Sequence, residues 1–267
     1  MSPMPLPADT PEFPAPQLLG IMLPSANTVV EPVTTEILRG LGVTPLFTRF
    51  AKRGATDPSP DRHDLDALLA AADLLADARP AAIVLAAGKG AVIGLMHDRA
   101  LADAILHRTG IVATTPALAL PVALCALGVS RIALIGPHDR GYNLRAARGL
   151  AEAGIETVAE ESLGLSDNLA FASVGPGAIT AQARRAAAAP GVQAIVAWNT
   201  NCAAAPLAGA LEAELGLPVL DATALGVWAG LGAACIAARP DSAWGRLFAI
   251  QPPAAVVAPP PGQTRSA

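Results

Sequence analysis

The sequence predicts an α/β fold built on parallel sheet and assembled from two copies of one half-domain. Two observations carry this expectation. Short apolar runs alternate with Ala-rich stretches in which Leu, Val or Ile recurs at three- or four-residue steps, the pattern of strands joined by crossover helices. Three strand-and-loop segments also recur at near-constant offsets. Gly20-Ile-Met-Leu-Pro24-Ser-Ala-Asn resembles Ile132-Ala-Leu-Ile-Gly-Pro137-His-Asp, with the two prolines 113 residues apart. Ile83-Val-Leu-Ala-Ala87-Gly-Lys-Gly resembles Ile195-Val-Ala-Trp-Asn199-Thr-Asn-Cys at an offset of 112, and Gly110-Ile-Val-Ala resembles Gly216-Leu-Pro-Val at 106.

From the N-terminus, Leu18–Leu23 reads as a strand that ends at Pro24, and Val30–Gly40 as the helix that follows. Pro45–Phe50 is the second strand and Asp61–Ala78 its Leu/Ala-periodic helix. Ala82–Ala86 is apolar throughout, as expected of a strand covered on both faces. Ala91–Thr109 is a helix, Ile111–Ala113 a short strand and Ala117–Gly128 a helix. The second half repeats the order. Its strands are Arg131–Ile135, Glu156–Glu160, Ala194–Ala197 and Val219–Leu220; its helices are Gly141–Ala153, Pro176–Ala189, Ala203–Leu215 and Ala222–Ala237. The ends, 1–16 and 251–267, are Pro-rich, lack a periodic apolar face and are expected to be disordered tails.

Composition narrows the function. The 267 residues are 52% hydrophobic and only 15% charged, so a core forms easily, and with 3% aromatics it must be built from Ala, Leu, Val and Ile. Net charge is −4, no basic run exists, and one Tyr and five Phe offer little for base stacking, so nucleic acid is not an expected partner. Cys125, Cys202 and Cys235 form no CxxC pair and the four His are scattered, which argues against a zinc site or a disulfide framework. The first residues lack Lys, Arg and an apolar block, unlike a signal peptide. Between Arg108 and Arg131 lie 22 uncharged residues, enough to span a bilayer. Thr114, Thr115, Pro116 and Pro121 interrupt them, so a strand, a loop and a buried helix are expected instead, and no membrane partner. The expected setting is the cytoplasm, and a homo-oligomer is left open.

In open parallel sheets ligands bind beyond the carboxyl ends of strands. Two facing halves would place four loops around one cleft: Pro24–Thr28, Ala87–Gly90, Pro137–Asn143 and Asn199–Cys202. Gly88-Lys-Gly-Ala-Val-Ile-Gly94 is not a Walker A, because Ile83 stands where the first Gly is needed and no Ser or Thr follows Lys89. As a dinucleotide turn it is loose, and Asp103 at the right distance falls in a helix. The preferred reading is a backbone nest for a carboxylate, with Gly88 and Gly90 N–H groups and the charge of Lys89; the alternative is a solvated lysine at a loop tip. Asn199, Thr200 and Asn201 suit either substrate binding or helix capping. Cys202 is placed near a helix N-terminus, where the dipole lowers a thiol pKa, while Cys125 and Cys235 read as packing residues. Asn27 can bond a substrate or brace its turn. His138 is the one His on an expected cleft loop and can form a dyad with Cys202; His63, His97 and His107 look solvated. Asp221-Ala-Thr223 either faces the cleft or caps the next helix.

Taken together, these loops resemble the aspartate/glutamate racemase superfamily. Pro24-Ser-Ala-Asn27-Thr is similar to the Pro-Ser-Ser-Asn-Thr opening of maleate cis–trans isomerases, and Pro137-His138…Asn143 to their Pro-Tyr…Asn loop. Thr200-Asn201 with Leu211-Glu…Leu215-Gly-Leu-Pro-Val219 and Trp228 resembles the segment that begins at their second active-site cysteine. Ala-Arg-Pro-Asp-Ser-Ala-Trp-Gly-Arg-Leu-Phe248 resembles the end of arylmalonate decarboxylase. The resemblance covers about residues 17–248. It implies two Rossmann-like halves with pseudo-twofold symmetry and chemistry without cofactor or metal. The halves are expected at 17–118 plus 221–250 and at 119–220.

The departures from the family pattern select among reactions. Ala87 stands at the first cysteine position, and Asn199 at the second when counted back from Leu215-Gly-Leu-Pro-Val. Cys202 lies three residues on, His138 replaces the family Tyr, and Lys89 replaces a small hydroxyl residue. Ala87 can neither attack nor carry a proton, which argues against two-cysteine racemization and covalent isomerization. A one-acid reaction on a small carboxylate or dicarboxylate survives: decarboxylation of a malonate-type substrate. Cys202, Lys89 or His138 would donate the proton. Asn27, Gly88, Gly90, Asn143, Asn199, Thr200 and Asn201 would hold the substrate. The alternatives are a maleate-isomerase-like or other isomerase or racemase, and a non-catalytic carboxylate binder.

Overall fold

A computed structural model describes residues 15–51 and 63–253. Most of both expected tails, 1–14 and 254–267, and the start of the helix expected from Asp61 lie outside the described residues. The first half runs β1(Gln17–Pro24), α1(Val30–Ile37), β2(Val43–Phe50), α2(Leu65–Ala76), β3(Ala82–Leu85), α3(Gly90–Ile93), α4(Leu95–Thr109), β4(Ala113–Thr114) and α5(Pro116–Ala126). The chain continues through β5(Arg131–His138), α6(Arg140–Ala151), β6(Glu156–Leu165), α7(Asn168–Ala172), α8(Pro176–Ala187), β7(Ala194–Ala197), α9(Ala208–Leu215) and β8(Val219–Asp221), and α10(Ala222–Ala233) follows.

Two parallel four-stranded sheets result, ordered β2-β1-β3-β4 and β6-β5-β7-β8. The identical order is the duplication predicted from the offsets. Each sheet has a packed outer face. Met22, Ile83 and Leu85 pack with Leu68 and Leu75 of α2 and Leu101 and Ile105 of α4. Ala133, Ile135 and Ile195 pack with Ile179 and Ala183 of α8 and Leu211 of α9. The inner faces share one large core with α1, α5, α6 and α10 that spans both halves. Helix α10 is buried along its whole length and packs on β3, β4, α1 and α5. The uncharged run therefore becomes β4, a Thr115-capped α5 and its turn. Among the described residues no helix is long and apolar enough to cross a membrane.

Four local expectations need correction. The helix expected over Ala91–Thr109 is broken at Gly94, whose φ of 123° ends α3 and starts α4. The Pro137–Asn143 loop is largely absent: β5 continues through His138, and Asp139 caps α6 by accepting from the Tyr142 N–H at 3.0 Å. The helix expected from Ala203 begins at Ala208, after a 3-10 turn over Ala205–Leu207. His63 and His97 are half-buried, not solvated, with facing ring nitrogens 3.2 Å apart.

Short α3 carries the β3 loop onto α6 of the opposite half. The contact needs Gly149, because a Cβ there would lie 2.0 Å from the Ala91 carbonyl oxygen. Gly149→Ala should cost about 1–3 kcal/mol and lower the urea midpoint. Gly177→Ala, with nothing within 4 Å of an added Cβ, should leave the midpoint unchanged or raise it. Equal midpoints for the two variants would contradict the contact.

Candidate active site

The C-terminal ends of β1, β3, β5 and β7 converge, and most of the expected site residues meet there. Asn27 braces its turn, as one of its two expected roles had it, and also bonds Thr200. Its Oδ1 accepts from the Val29 and Val30 N–H groups at 2.9 Å each, bracing its turn, and its Nδ2 donates to Thr200 Oγ1 across the cleft at 3.2 Å. Thr200 Oγ1 donates in turn to the Ala86 carbonyl at 3.3 Å. Asn201 Oδ1 accepts from the Thr28 N–H at 2.9 Å, and its Nδ2 donates to the carbonyls of Asn168 at 2.6 Å and Ala26 at 3.4 Å. Trp198, fully buried, donates from Nε1 to the Gly88 carbonyl at 2.9 Å. The side chains of Asn27, Thr200 and Asn201 therefore latch one half to the other.

Asn199 is fixed from both ends. The Asn201 N–H donates to its Oδ1 at 2.6 Å, which turns its Nδ2 toward His138 Nε2 at 2.8 Å. His138 Nε2 is then an acceptor, and the neutral ring carries its proton on Nδ1. The ring is 3% exposed, stacks on Tyr142 at 3.6 Å between centroids and meets the edge of Phe171 at 4.5 Å. Burial pushes its pKa down to about 3; the Asp139 carboxylate opposes this, and the positive charges of Lys89 and Arg145 add to it. His138 therefore stays uncharged at neutral pH. The influence of half-buried Lys89 on that ring places its charge beside the same loops.

Two expected residues point elsewhere. Cys202 sits in the apolar cluster on the outer face of the second sheet, with Ile135, Ile179, Ala197 and Ala204, beside a hollow with room for about one water that Pro137, Trp198 and Asn199 also line. The expected helix dipole is missing because α9 starts six residues later. Burial, followed by the Asp221 charge, pushes its thiol up to about 12, opposite to the expected shift. Its partner in the expected dyad, His138, is bonded to Asn199 instead. Asn143 is buried behind His138, on α6, and donates to Glu160 Oε1 at 2.8 Å. Asp221 resolves to the capping role: its Oδ1 accepts from the Thr223 and Ala224 N–H groups at 2.7 and 3.0 Å.

Two site-forming residues escaped the sequence reading. Trp198 stands between the residues singled out on either side. Asp98 falls at helical spacing with Leu95, Leu101, Ala102 and Ile105, all buried, so the apolar stripe of α4 already placed a carboxylate in the interior. No group of three or more His, Cys, Asp or Glu able to hold a metal occurs among the described residues.

The arylmalonate decarboxylase family model matches residues 20–248. The chain belongs to the arylmalonate decarboxylase family. The arylmalonate decarboxylase of Bordetella bronchiseptica is 31% identical over 156 residues, which span 58% of this chain and 65% of that protein. A crystal structure of a liganded double mutant of arylmalonate decarboxylase superposes with a TM-score of 0.78 at 25% identity, covering 88% of this chain and 99% of that one. A Nocardia farcinica maleate cis–trans isomerase mutant with a covalently bound succinylcysteine intermediate also gives 0.78, at 24% identity and over 88% and 98% of the two chains. The superposition extends to both sheets, so the family fold of two Rossmann-like halves holds for this member.

Thiol labelling tests the placement of Cys202. Cys125 and Cys235, expected as packing residues, are exposed instead, so in the folded chain at about pH 8 iodoacetamide should alkylate both, and Cys202 at least about 100-fold more slowly unless the chain is denatured. Labelling of Cys202 as fast as the other two would place it in the open cleft.

Proposed function

We propose that this member of the arylmalonate decarboxylase family releases CO₂ from a malonate-type dicarboxylate without a cofactor, with Lys89 as its proton donor. The observation that carries the reading is the composition of the cleft. Its two thiol positions hold Ala87 and Asn199, its imidazole is neutral, and Lys89 is the remaining cation on the four loops that can both bind a carboxylate and deliver a proton.

In this reading one substrate carboxylate lies against Lys89 and the Gly88–Gly90 turn, while the neutral imidazole offers its Nδ1–H. The bond from the α-carbon to the second carboxylate breaks and CO₂ departs. The electron pair passes into the retained carboxylate, giving an enediolate whose added charge is stabilised by the same donors. The Lys89 ammonium protonates the α-carbon, and the amine regains its proton from water. The products are CO₂ and a monocarboxylate, so atoms and charge balance without an oxidant or reductant. Asn27, Thr200 and Asn201 contribute by fixing the loops, since their polar atoms are already bonded.

CO₂ release from phenylmalonate tests this. Lys89→Ala should lower kcat by about 10²–10⁴-fold, and Cys202→Ala should stay within about twofold of the parent. Absence of CO₂ from every malonate tried, or full activity of Lys89→Ala, would refute it. The second reading, a carboxylate binder without turnover, is favoured by the same loss of both thiols. Its signature is a thermal shift with phenylmalonate and no CO₂.

A further inference from the structure

The geometry points to Asp98 as a positioning residue whose charge state sets whether the Gly88–Gly90 turn presents itself to an anion in the cleft. This rests on the reading of that turn as the carboxylate-holding wall. Asp98 lies in the first turn of α4 and is 1% exposed. Its carboxyl group fills the space where a Gly90 side chain would be: a Cβ there would lie 2.2 Å from Cγ and Oδ2 and 2.4 Å from Oδ1. Gly90 is therefore glycine to admit a carboxyl group directly behind the turn that carries Lys89. The Thr115 hydroxyl, which caps α5, hydrogen-bonds the carboxyl group. Oδ1 is buried and has no partner.

A buried carboxylate oxygen with no donor is costly when charged and much less so when protonated. Burial pushes the Asp98 pKa up to about 7, with the Thr115 bond offsetting part of the rise. The surrounding charges are few. On α4 itself His97 and Arg99 flank it in sequence. Lys89 stands on the turn, and α6 brings Glu152, 4.0 Å from where a Gly94 side chain would begin. On α2, Asp73 is engaged by Arg108. The segments β3, β4, α3 and α5 carry no charged side chain.

The sign follows from these facts. Below neutral pH Asp98 is a neutral acid, bonded to Thr115 of the α5 cap, and makes no demand on the turn. Above it the ionised Oδ1 competes with the substrate anion for the turn's N–H groups and for Lys89. Anion affinity is thus full below about pH 7 and falls as pH rises through it. The same ionisation makes the folded state less stable as pH rises between the unfolded-state value of about 4 and the folded value.

Phenylacetate, an unreactive carboxylate, serves as the probe, with binding to the full chain measured by calorimetry at about pH 6 and about pH 8.5. The parent should lose at least about tenfold in affinity over this step, and Asp98→Asn less than about twofold. An Asn variant that tracks the parent would overturn the proposal. Amide exchange at Gly88 and Gly90, corrected for its intrinsic pH dependence, reads Asp98 without a ligand. It should fall about tenfold in the parent alone, because the ionised carboxylate then holds those N–H groups. No binding at either pH counts against the carboxylate reading; an unchanged exchange step counts against Asp98. Should Asp98→Asn fail to fold, a carboxyl ¹³C titration of the parent decides: a midpoint of about 7 supports the assignment, and one of about 4 overturns it.

Discussion

Trp198, Thr200 and Asn201 stand at the end of β7 in one half and bond into the other, to the Gly88 carbonyl, the Ala86 carbonyl and the Thr28 N–H. Each such bond is worth about 1 kcal/mol net, but leaving any of these buried groups unpaired costs more, so the set behaves as a latch. The latch fixes the separation of the loops after β1, β3 and β7. Asn199, between Trp198 and Thr200, is held by the Asn201 N–H and in turn sets the tautomer of His138. Four consecutive residues thus control both the width of the cleft and the protonation of its imidazole.

That control gives the cleft an unusual charge pattern. Four buried groups near it are displaced by burial away from their charged forms: His138 toward neutral imidazole, Cys202 toward the thiol, Asp98 and Asp221 toward neutral acids. Lys89, half-buried, puts a cation on the β3 loop. An anionic substrate lying against the Gly88–Gly90 turn would meet the Lys89 charge and neutral donors, which is the environment an enediolate needs.

The fold was legible in the sequence because its signals are local and repeated. Strand and helix periodicities placed all eight strands within a few residues, and the offsets between Pro24 and Pro137 and between Ile83 and Ile195 announced two sheets of one topology. Residues at strand ends were legible for the same reason, and Asn27, Gly88, Lys89, His138 and Asn199 do stand at or just past the ends of β1, β3, β5 and β7. Side-chain direction was not legible. Cys202 lies only three residues past Asn199, yet the chain turns over this stretch and buries the thiol behind the sheet. Asp98 sits in a stretch that reads as a solvated helix because of His97 and Arg99, and only the spacing of its apolar neighbours betrays its burial. The break at Gly94 was hidden because a glycine inside a helical pattern is compatible with either a weak helix or two helices.

Two halves latched around one anion-holding cleft is a claim about which atoms a carboxylate touches. Mapping of ¹H–¹⁵N shifts during titration of the chain with a monocarboxylate addresses it directly. The account predicts that the largest changes fall together on the amides of Gly88–Gly90 and of Asn199–Asn201, from opposite halves. Changes confined to one half, or centred on the Cys202–Gln182 side of the second sheet, would contradict it.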